Sequence, residues 1–260
     1  MSIRTFRKQF CSPTSADTAV AHHRWLTDLG SGVFFPAIVQ CTGSTVEFEH
    51  IPGPTASTDD MPLVARTLGR LHRAARDRGL RCVDANQPFP LGTGRTLAGF
   101  AEPRRGRLLV ALSTVRSPLS VQLVDAWLER ASVLPTALYK DANPRNVILS
   151  RSYGPVLIDF DTLTLAPVGY DLAKLVVTTS MTFGALSQEH ILMALHAYTK
   201  GLGVEPEVCP LEHLQIWAEF HHLLTSPWLG EHYCFDWTEV RPWTADEVAT
   251  AAHAPTPIRS

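Results

Sequence analysis

The 260-residue chain has no apolar stretch approaching the roughly 18 residues that a membrane-spanning helix needs. It has no excess of positive charge: the formal net charge is −2, so nothing suggests a nucleic-acid surface. Its cysteines are few and unpatterned. Cys11, Cys41, Cys82, Cys209 and Cys234 are odd in number, scattered, and form no Cys-x-x-Cys. That excludes a disulfide framework and a zinc site, and fits a reducing, cytoplasmic compartment. Neither an internal repeat nor a low-complexity tract is present. What remains is 45% hydrophobic and 18% charged, enough apolar material to bury a core. The length suits one large domain or two small lobes.

The chemistry is concentrated between Leu138 and Lys174. Asp141 is followed by Asn146, then by a strand-like run ending in Ile158-Asp159-Phe160-Asp161. Metal-assisted phosphoryl transfer needs this order of groups. One acid orients or accepts a hydroxyl proton, while an amide oxygen and a carboxylate hold Mg²⁺ on nucleotide phosphates. Asp141 fits the first role, Asn146 and Asp159 the other two. Asp161, two residues on, points to the same side if the pleat continues. It can assist the metal or substrate, or hold the loop.

Four pieces of this segment, Tyr139-Lys140-Asp141, Asn146, Ile158-Asp159-Phe160-Asp161 and Tyr170-Asp171-Leu172-Ala173, resemble the catalytic core of the aminoglycoside phosphotransferases. These are small-molecule kinases related to protein kinases, with the pattern His-Gly-Asp-x-x-x-x-Asn, a hairpin, Ile-Asp-Phe/Trp and Tyr-Asp-Leu-Ala. Tyr139 and Lys140 stand where the family has His-Gly. The resemblance implies an α+β, two-lobed protein-kinase-like fold. Residues 1–53 would form a reduced N-terminal lobe and residues 54–260 a mainly helical lobe. ATP and Mg²⁺ are the implied cofactors, and a hydroxyl of an antibiotic or natural-product-like small molecule is the implied acceptor. Lys140 would either place its charge near the transferred phosphoryl or turn away and pair with a carboxylate, and Asp171 would cap free N–H groups and brace the catalytic loop.

Towards the N-terminus, residues 3–10 alternate as a strand does, Ser12-Pro13-Thr14-Ser15 is rich in helix-starting residues, and Ala19–Leu29 reads as a short helix. Phe35–Gln40 and Thr45–Ile51 read as strands around Thr42-Gly43-Ser44. That order resembles the small kinase lobe from its third strand onward. By the resemblance, Lys8 bridges the nucleotide phosphates, with Arg7 or Arg4 as substitutes, and the backbone from Glu49 to Ile51 meets the base. Two departures stand out. Seven residues precede Lys8, so in this register no glycine-rich lid over the phosphates is expected. The helix centre, Ala21-His22-His23-Arg24, lacks the acid that would partner Lys8, and a neutral imidazole cannot replace it. These departures favour an alternative: a non-catalytic kinase-fold protein that binds a nucleotide, a metabolite or a partner chain.

Helices are expected over Met61–Arg78, Leu119–Leu134, Gln188–Lys200 and Leu211–Leu224 from their apolar spacing. Residues 82–107, broken by Pro88, Pro90, Gly92, Gly94, Pro103 and Gly106, read as loop. Arg95, Arg104, Arg105 and Arg107 in that stretch read as solvated surface, with contact to an anionic substrate as the alternative. In the resembled family the C-terminal part walls the acceptor pocket. Glu219, Glu231 and Asp236 are therefore candidate contacts to a cationic acceptor, with Trp228, Tyr233 and Trp237 as stacking surfaces. Residues after Thr250 read as a frayed tail.

Overall fold

The computed structural model describes residues 4–253 apart from Thr93 and Thr162. Ile3, the first residue of the expected N-terminal strand, and residues 254–260 of the expected tail lie outside that range. The chain opens with β1 (Thr5–Gln9) and α1 (Pro13–Asp28), followed by β2 (Ile38–Thr42) and β3 (Thr45–Glu49). The three strands form one antiparallel sheet in the order β1-β3-β2, with Lys8 opposite Val46 and Phe6 opposite Phe48. A two-residue turn, Gly43-Ser44, joins β2 to β3, and Gly43 supplies the positive φ of 59° that the turn requires. Helix α1 starts six residues before the expected Ala19. Ser12 caps it by accepting from Ser15 N at 3.1 Å, and Pro13 occupies the first turn, where no amide hydrogen is needed.

The segment leaving the sheet is laced to the catalytic hairpin. Pro54 O accepts from Leu149 N at 2.8 Å and Ala56 N donates to Val147 O at 3.0 Å. Gly53 lies so close that an added Cβ would stand 2.4 Å from Leu149 O. Helix α2 (Met61–Asp77) follows, then a short pair, β4 (Phe89–Pro90) with β5 (Thr96–Leu97), and the helices α3 (Glu102–Leu112) and α4 (Val121–Arg130). Helix α3 overturns the loop expected there. Pro103 does not break it, because it lies in the first helical turn, and Gly106 faces open space.

Two antiparallel pairs carry the functional loops. They are β6 (Thr136–Tyr139) with β9 (Thr164–Pro167), and β7 (Val147–Ser150) with β8 (Gly154–Leu157). Behind them run α5 (Tyr170–Phe183), α6 (Gln188–Leu202) and α7 (Leu211–Thr225), then the short α8 (Trp237–Val240) and α9 (Ala245–Ala251). Every residue of α5 from Tyr170 to Met181 is buried. It packs on α7, whose Trp217 meets Trp127 of α4 and Tyr170 edge-on at 5.1 and 5.7 Å. Helices α2 and α6 approach until their backbones touch. A Cβ added at Gly69 would stand 2.2 Å from Tyr198 O, and one at Gly201 2.4 Å from Arg66 O. Among the described residues no helix is long and apolar enough to cross a membrane.

Candidate active site

Asp141 follows β6 and Asp159 follows β8, so two separate strand pairs deliver the two acids. Among the described residues they are the only non-glycine residues with positive φ, 62° and 69°. Such backbone costs about 1–3 kcal/mol per residue and persists where surrounding contacts over-determine it. Those contacts are present. Asp171, fully buried at the start of α5, accepts from Lys140 N at 3.0 Å and Ala142 N at 2.8 Å, one amide on each side of Asp141. Behind it, Tyr198 OH accepts from Gly169 N at 3.2 Å and lies 2.8 Å from His72 Nδ1. His72 Nε2 faces Asp171 Oδ2 at 3.6 Å, too long for a hydrogen bond.

Lys140 holds the second acid's backbone. Its Nζ donates to the carbonyl oxygens of Ile158 and Asp159 and lies 4.8 Å from the centre of the Phe160 ring. Burial pushes the Lys140 ammonium down to about 8, against the pull of Asp159, Asp171 and Asp141. Lys140 lines neither of the two cavities described below. It turns away from both cavities, but its partners are backbone carbonyls rather than the carboxylate expected for that orientation, and it ties the catalytic loop to the strand end.

Phe160 in turn seats α1 and the sheet. His23, Phe35 and Phe48 surround its ring at 4.9, 5.8 and 5.9 Å. His22 Nδ1 lies 3.0 Å from Phe160 O and His23 Nε2 lies 2.7 Å from Pro36 O. Carbonyl oxygens only accept, so these nitrogens carry the hydrogens. Burial lowers both imidazole pKa values. The helix-centre histidines are therefore neutral packing groups that dock α1.

Lys8 projects from β1 to the same centre. Its Nζ lies 2.9 Å from Asp159 Oδ1 and 2.8 Å from Asp161 Oδ1. Desolvation opposes the Lys8 charge, and the two carboxylates outweigh it, so its pKa rises. Burial works against the Asp159 carboxylate too, but Lys8 prevails and holds its pKa below the usual range; Asp161, desolvated and beside Asp159, is raised. Asp161 thus supplies Lys8 with the carboxylate that α1 does not. Arg7, the expected substitute, points away to Glu47 at 2.6 Å.

Two cavities meet here. One, of about 420 Å³, is largely apolar and is lined by Phe6, Lys8, Glu49, Ile51, Ile148 and Asp161, among others. The other, of about 600 Å³, is lined by Asp141, Tyr139, Arg104, Lys174, Trp228 and Tyr233, among others. Asn146 and Asp159 line both. Asn146 Nδ2 donates to Asp141 O at 3.2 Å, which fixes the amide and leaves its oxygen available. Asp141 Oδ1 accepts from Tyr139 OH at 2.8 Å and faces Lys174 Nζ at 3.3 Å. Among the described residues no three His, Cys, Asp or Glu side chains form a metal cage. An amide and a carboxylate beside phosphate oxygens are the sparser set that Mg²⁺ takes in nucleotide sites.

The order β1-β3-β2, the paired Asp141 and Asp159 loops and the cleft between them are a kinase arrangement. The family model of the phosphotransferase enzyme family matches residues 20–211. The chain belongs to that family. Among solved structures, this member is similar to a choline/ethanolamine kinase family protein from Mesorhizobium loti, at 17% identity and a TM-score of 0.56, over 95% of this chain and 80% of that one. It is similar to the macrolide 2'-phosphotransferase of Brachybacterium faecium, at 15% and 0.55, over 98% and 87%. It is also similar to the ethanolamine kinase of Plasmodium vivax, at 14% and 0.57, over 96% and 76%. At these identities the likeness is one of fold, the two-lobed kinase type. No curated protein sequence matches the chain.

The acids expected to meet a cationic acceptor lie elsewhere. Glu219 is fully buried; it accepts from Trp237 Nε1 at 3.0 Å and pairs with Arg241 at 3.3 Å. Trp237 is equally buried and is no stacking surface. Asp236 caps α8 by accepting from Thr238 N at 2.7 Å. Glu231 is exposed beside His232 at 3.5 Å. Trp228 and Tyr233, by contrast, line the larger cavity. So do Arg104 and Arg107, for which contact with an anionic substrate is the alternative to a solvated surface, and Arg145 and Lys174, which residue type alone does not single out.

Proposed function

We propose that this phosphotransferase moves the γ-phosphate of ATP to a hydroxyl of a small, natural-product-like molecule. The reading rests on one observation above the others: Asn146 and Asp159 border both cavities, with Lys8 on one side and Asp141 on the other. The smaller cavity then takes the nucleotide between residues 1–53 and 54–260. Its base lies along Glu49–Ile51 and its phosphates run toward Lys8. The larger cavity takes the acceptor. Asn146 Oδ1 and Asp159 would hold Mg²⁺, which supplies charge neutralisation on the phosphates when bound.

Asp141 orients the acceptor hydroxyl and takes its proton, and the clamp from Asp171 fixes where that carboxylate stands. Positioning carries much of the effect, because in a loose transition state, with ADP as the leaving group, the attacking hydroxyl needs little help from a base. Lys8 neutralises phosphate charge once nucleotide displaces it from Asp159, and Asp161 keeps it within reach. Five free cysteines support a reducing, cytoplasmic setting.

A second reading, a non-catalytic nucleotide binder, is favoured by one feature: the centre of α1 presents His22 and His23 rather than a carboxylate. Transfer of labelled γ-phosphate from ATP to a panel of hydroxyl compounds decides between them. Wild type is compared with Asp141→Ala and Asp159→Ala. Phosphorylated product from wild type alone supports the kinase. Equal ADP release in all three proteins removes it.

A further inference from the structure

Taking the larger cavity as the acceptor pocket, we infer that the acceptor is a hydroxylated anion, carrying a carboxylate or a phosphate monoester opposite the reacting hydroxyl. Four cationic side chains, Arg104, Arg107, Arg145 and Lys174, and two carboxylates, Asp141 and Asp159, line the cavity. Four minus two leaves a surplus of two positive charges. Both carboxylates are already engaged in the proposed chemistry, and Lys174 is the cation that faces Asp141. The three guanidinium groups therefore have no counter-charge in the cavity wall.

Arg104 carries most weight. It is 5% exposed, and its contacts are neutral: Phe100 O at 2.8 Å, Thr164 Oγ1 at 2.8 Å and Tyr170 OH at 3.2 Å. The rings of Phe100, Tyr139 and Tyr170 surround its guanidinium at 4.6–5.0 Å. Among the described residues it forms no ion pair. A guanidinium has five N–H donors, and three contacts leave two unused. A charge held this way, away from water, gains strongly from an anion that docks against it. Arg107 is the i+3 neighbour of Arg104 on α3, so both lie on one face of the helix. Across the cavity, Arg145 lies over the Tyr233 ring at 5.0 Å and donates to His232 O.

Solvated surface arginines behave differently on the same stretch of chain. Arg105, next to Arg104, pairs with Asp125 at 2.9 and 3.1 Å, and Arg95 faces Asp17 at 3.9 Å. The arginines turned outward find carboxylates, whereas those lining the cavity do not. A cationic acceptor would meet repulsion here. Glu231 lines neither cavity and contacts His232.

The test uses one carbon skeleton with different charges: glucuronate, glucose 6-phosphate, glucose and glucosamine. Binding is measured by calorimetry on the wild-type protein with Mg²⁺ and a non-hydrolysable ATP analogue. Arg107→Glu combined with Arg145→Glu is the comparison, because both side chains are exposed and folding tolerates their change better than that of buried Arg104. Glucuronate or glucose 6-phosphate is expected to bind at least tenfold more tightly than glucosamine, and the charge-reversed protein to lose that preference. Whichever of the two wins tells carboxylate from phosphate. Glucosamine binding as tightly as either anion, a preference unchanged in the charge-reversed protein, or no binding of either anion would each overturn the inference. With ATP in place of the analogue, binding of an anion without γ-phosphate transfer would sink the kinase reading and leave the pocket's charge preference standing. Transfer to glucosamine in preference to the anions would do the reverse.

Discussion

Lys8 Nζ and Asp159 Oδ1 lie 2.9 Å apart across 151 residues of sequence. The pair joins the edge strand β1 to the loop that follows β8, and Asp161 holds the same ammonium at 2.8 Å. On the proposed function, nucleotide and metal compete with this contact, and its strength sets part of the cost of binding. Lys8→Met is expected to raise the KM for ATP by about tenfold or more, since a charge-assisted hydrogen bond contributes about 1.5–3 kcal/mol. Asp161→Asn, which weakens the hold on Lys8 without removing it, should alter the KM for ATP far less than Lys8→Met. Steady-state kinetics at saturating acceptor reads both. Equal effects from the two variants would contradict the division of roles.

Asp171 makes a second, independent test. Its carboxylate accepts the amide hydrogens on either side of Asp141. Asp171→Ala leaves both amides unsatisfied in a buried place, at about 1–3 kcal/mol for each such group. The expected result is a lower Tm together with faster hydrogen exchange at Lys140 and Ala142. A lower Tm without that local exchange would mean that the carboxylate stabilises the helix alone.

Glu219 is expected to be scaffold. Burial alone would raise its pKa, but His222, the Trp237 indole and the Arg241 charge outweigh burial and hold it below the ordinary 4.5. The folded carboxylate therefore resists protonation more than the unfolded one. Its contribution to stability is complete above pH 4.5 and is lost as pH falls through the lower folded-state value. Glu219→Ala should lower stability at neutral pH by about 3–5 kcal/mol and flatten the acid limb of a plot of Tm against pH. Glu219→Gln, once folded, should leave the choice of acceptor unchanged; a change in that choice would restore Glu219 to the pocket.

Gly69 tests the close approach of α2 and α6. Gly69→Ala drives a methyl group against Tyr198 O and should lower stability by about 1–3 kcal/mol, the usual range for overpacking. An unchanged Tm would show that the helices can part freely.

The placement of the candidate site residues was legible wherever they lie close together in sequence. Asp141 and Asn146 share one turn, Asp159 and Asp161 one strand end, and Asp171 opens the next helix. Local spacing alone orders these groups. What the sequence hid depends on distant partners. Glu219 has the residue type of a ligand, yet Trp237 and Arg241, 18 and 22 residues on, bury it. Arg104 has the residue type of a surface group, yet the Phe100 and Tyr170 rings enclose it. Lys140 stands where the family keeps a glycine, and only the folded loop shows that its charge turns inward to backbone oxygens. The helix α3 was hidden because a proline in a first turn and an exposed glycine look like a loop by composition.

The kinase reading stands or falls on whether Asn146 and Asp159 hold one divalent cation with the nucleotide. Electron paramagnetic resonance of Mn²⁺ titrated into the protein with a non-hydrolysable ATP analogue answers that question. Wild type should bind one ion in the ternary complex. Asn146→Ala should bind it at least tenfold more weakly, and Asp159→Asn should lose it. An Asp159→Asn protein that folds, binds the analogue and retains wild-type Mn²⁺ affinity would contradict the assignment.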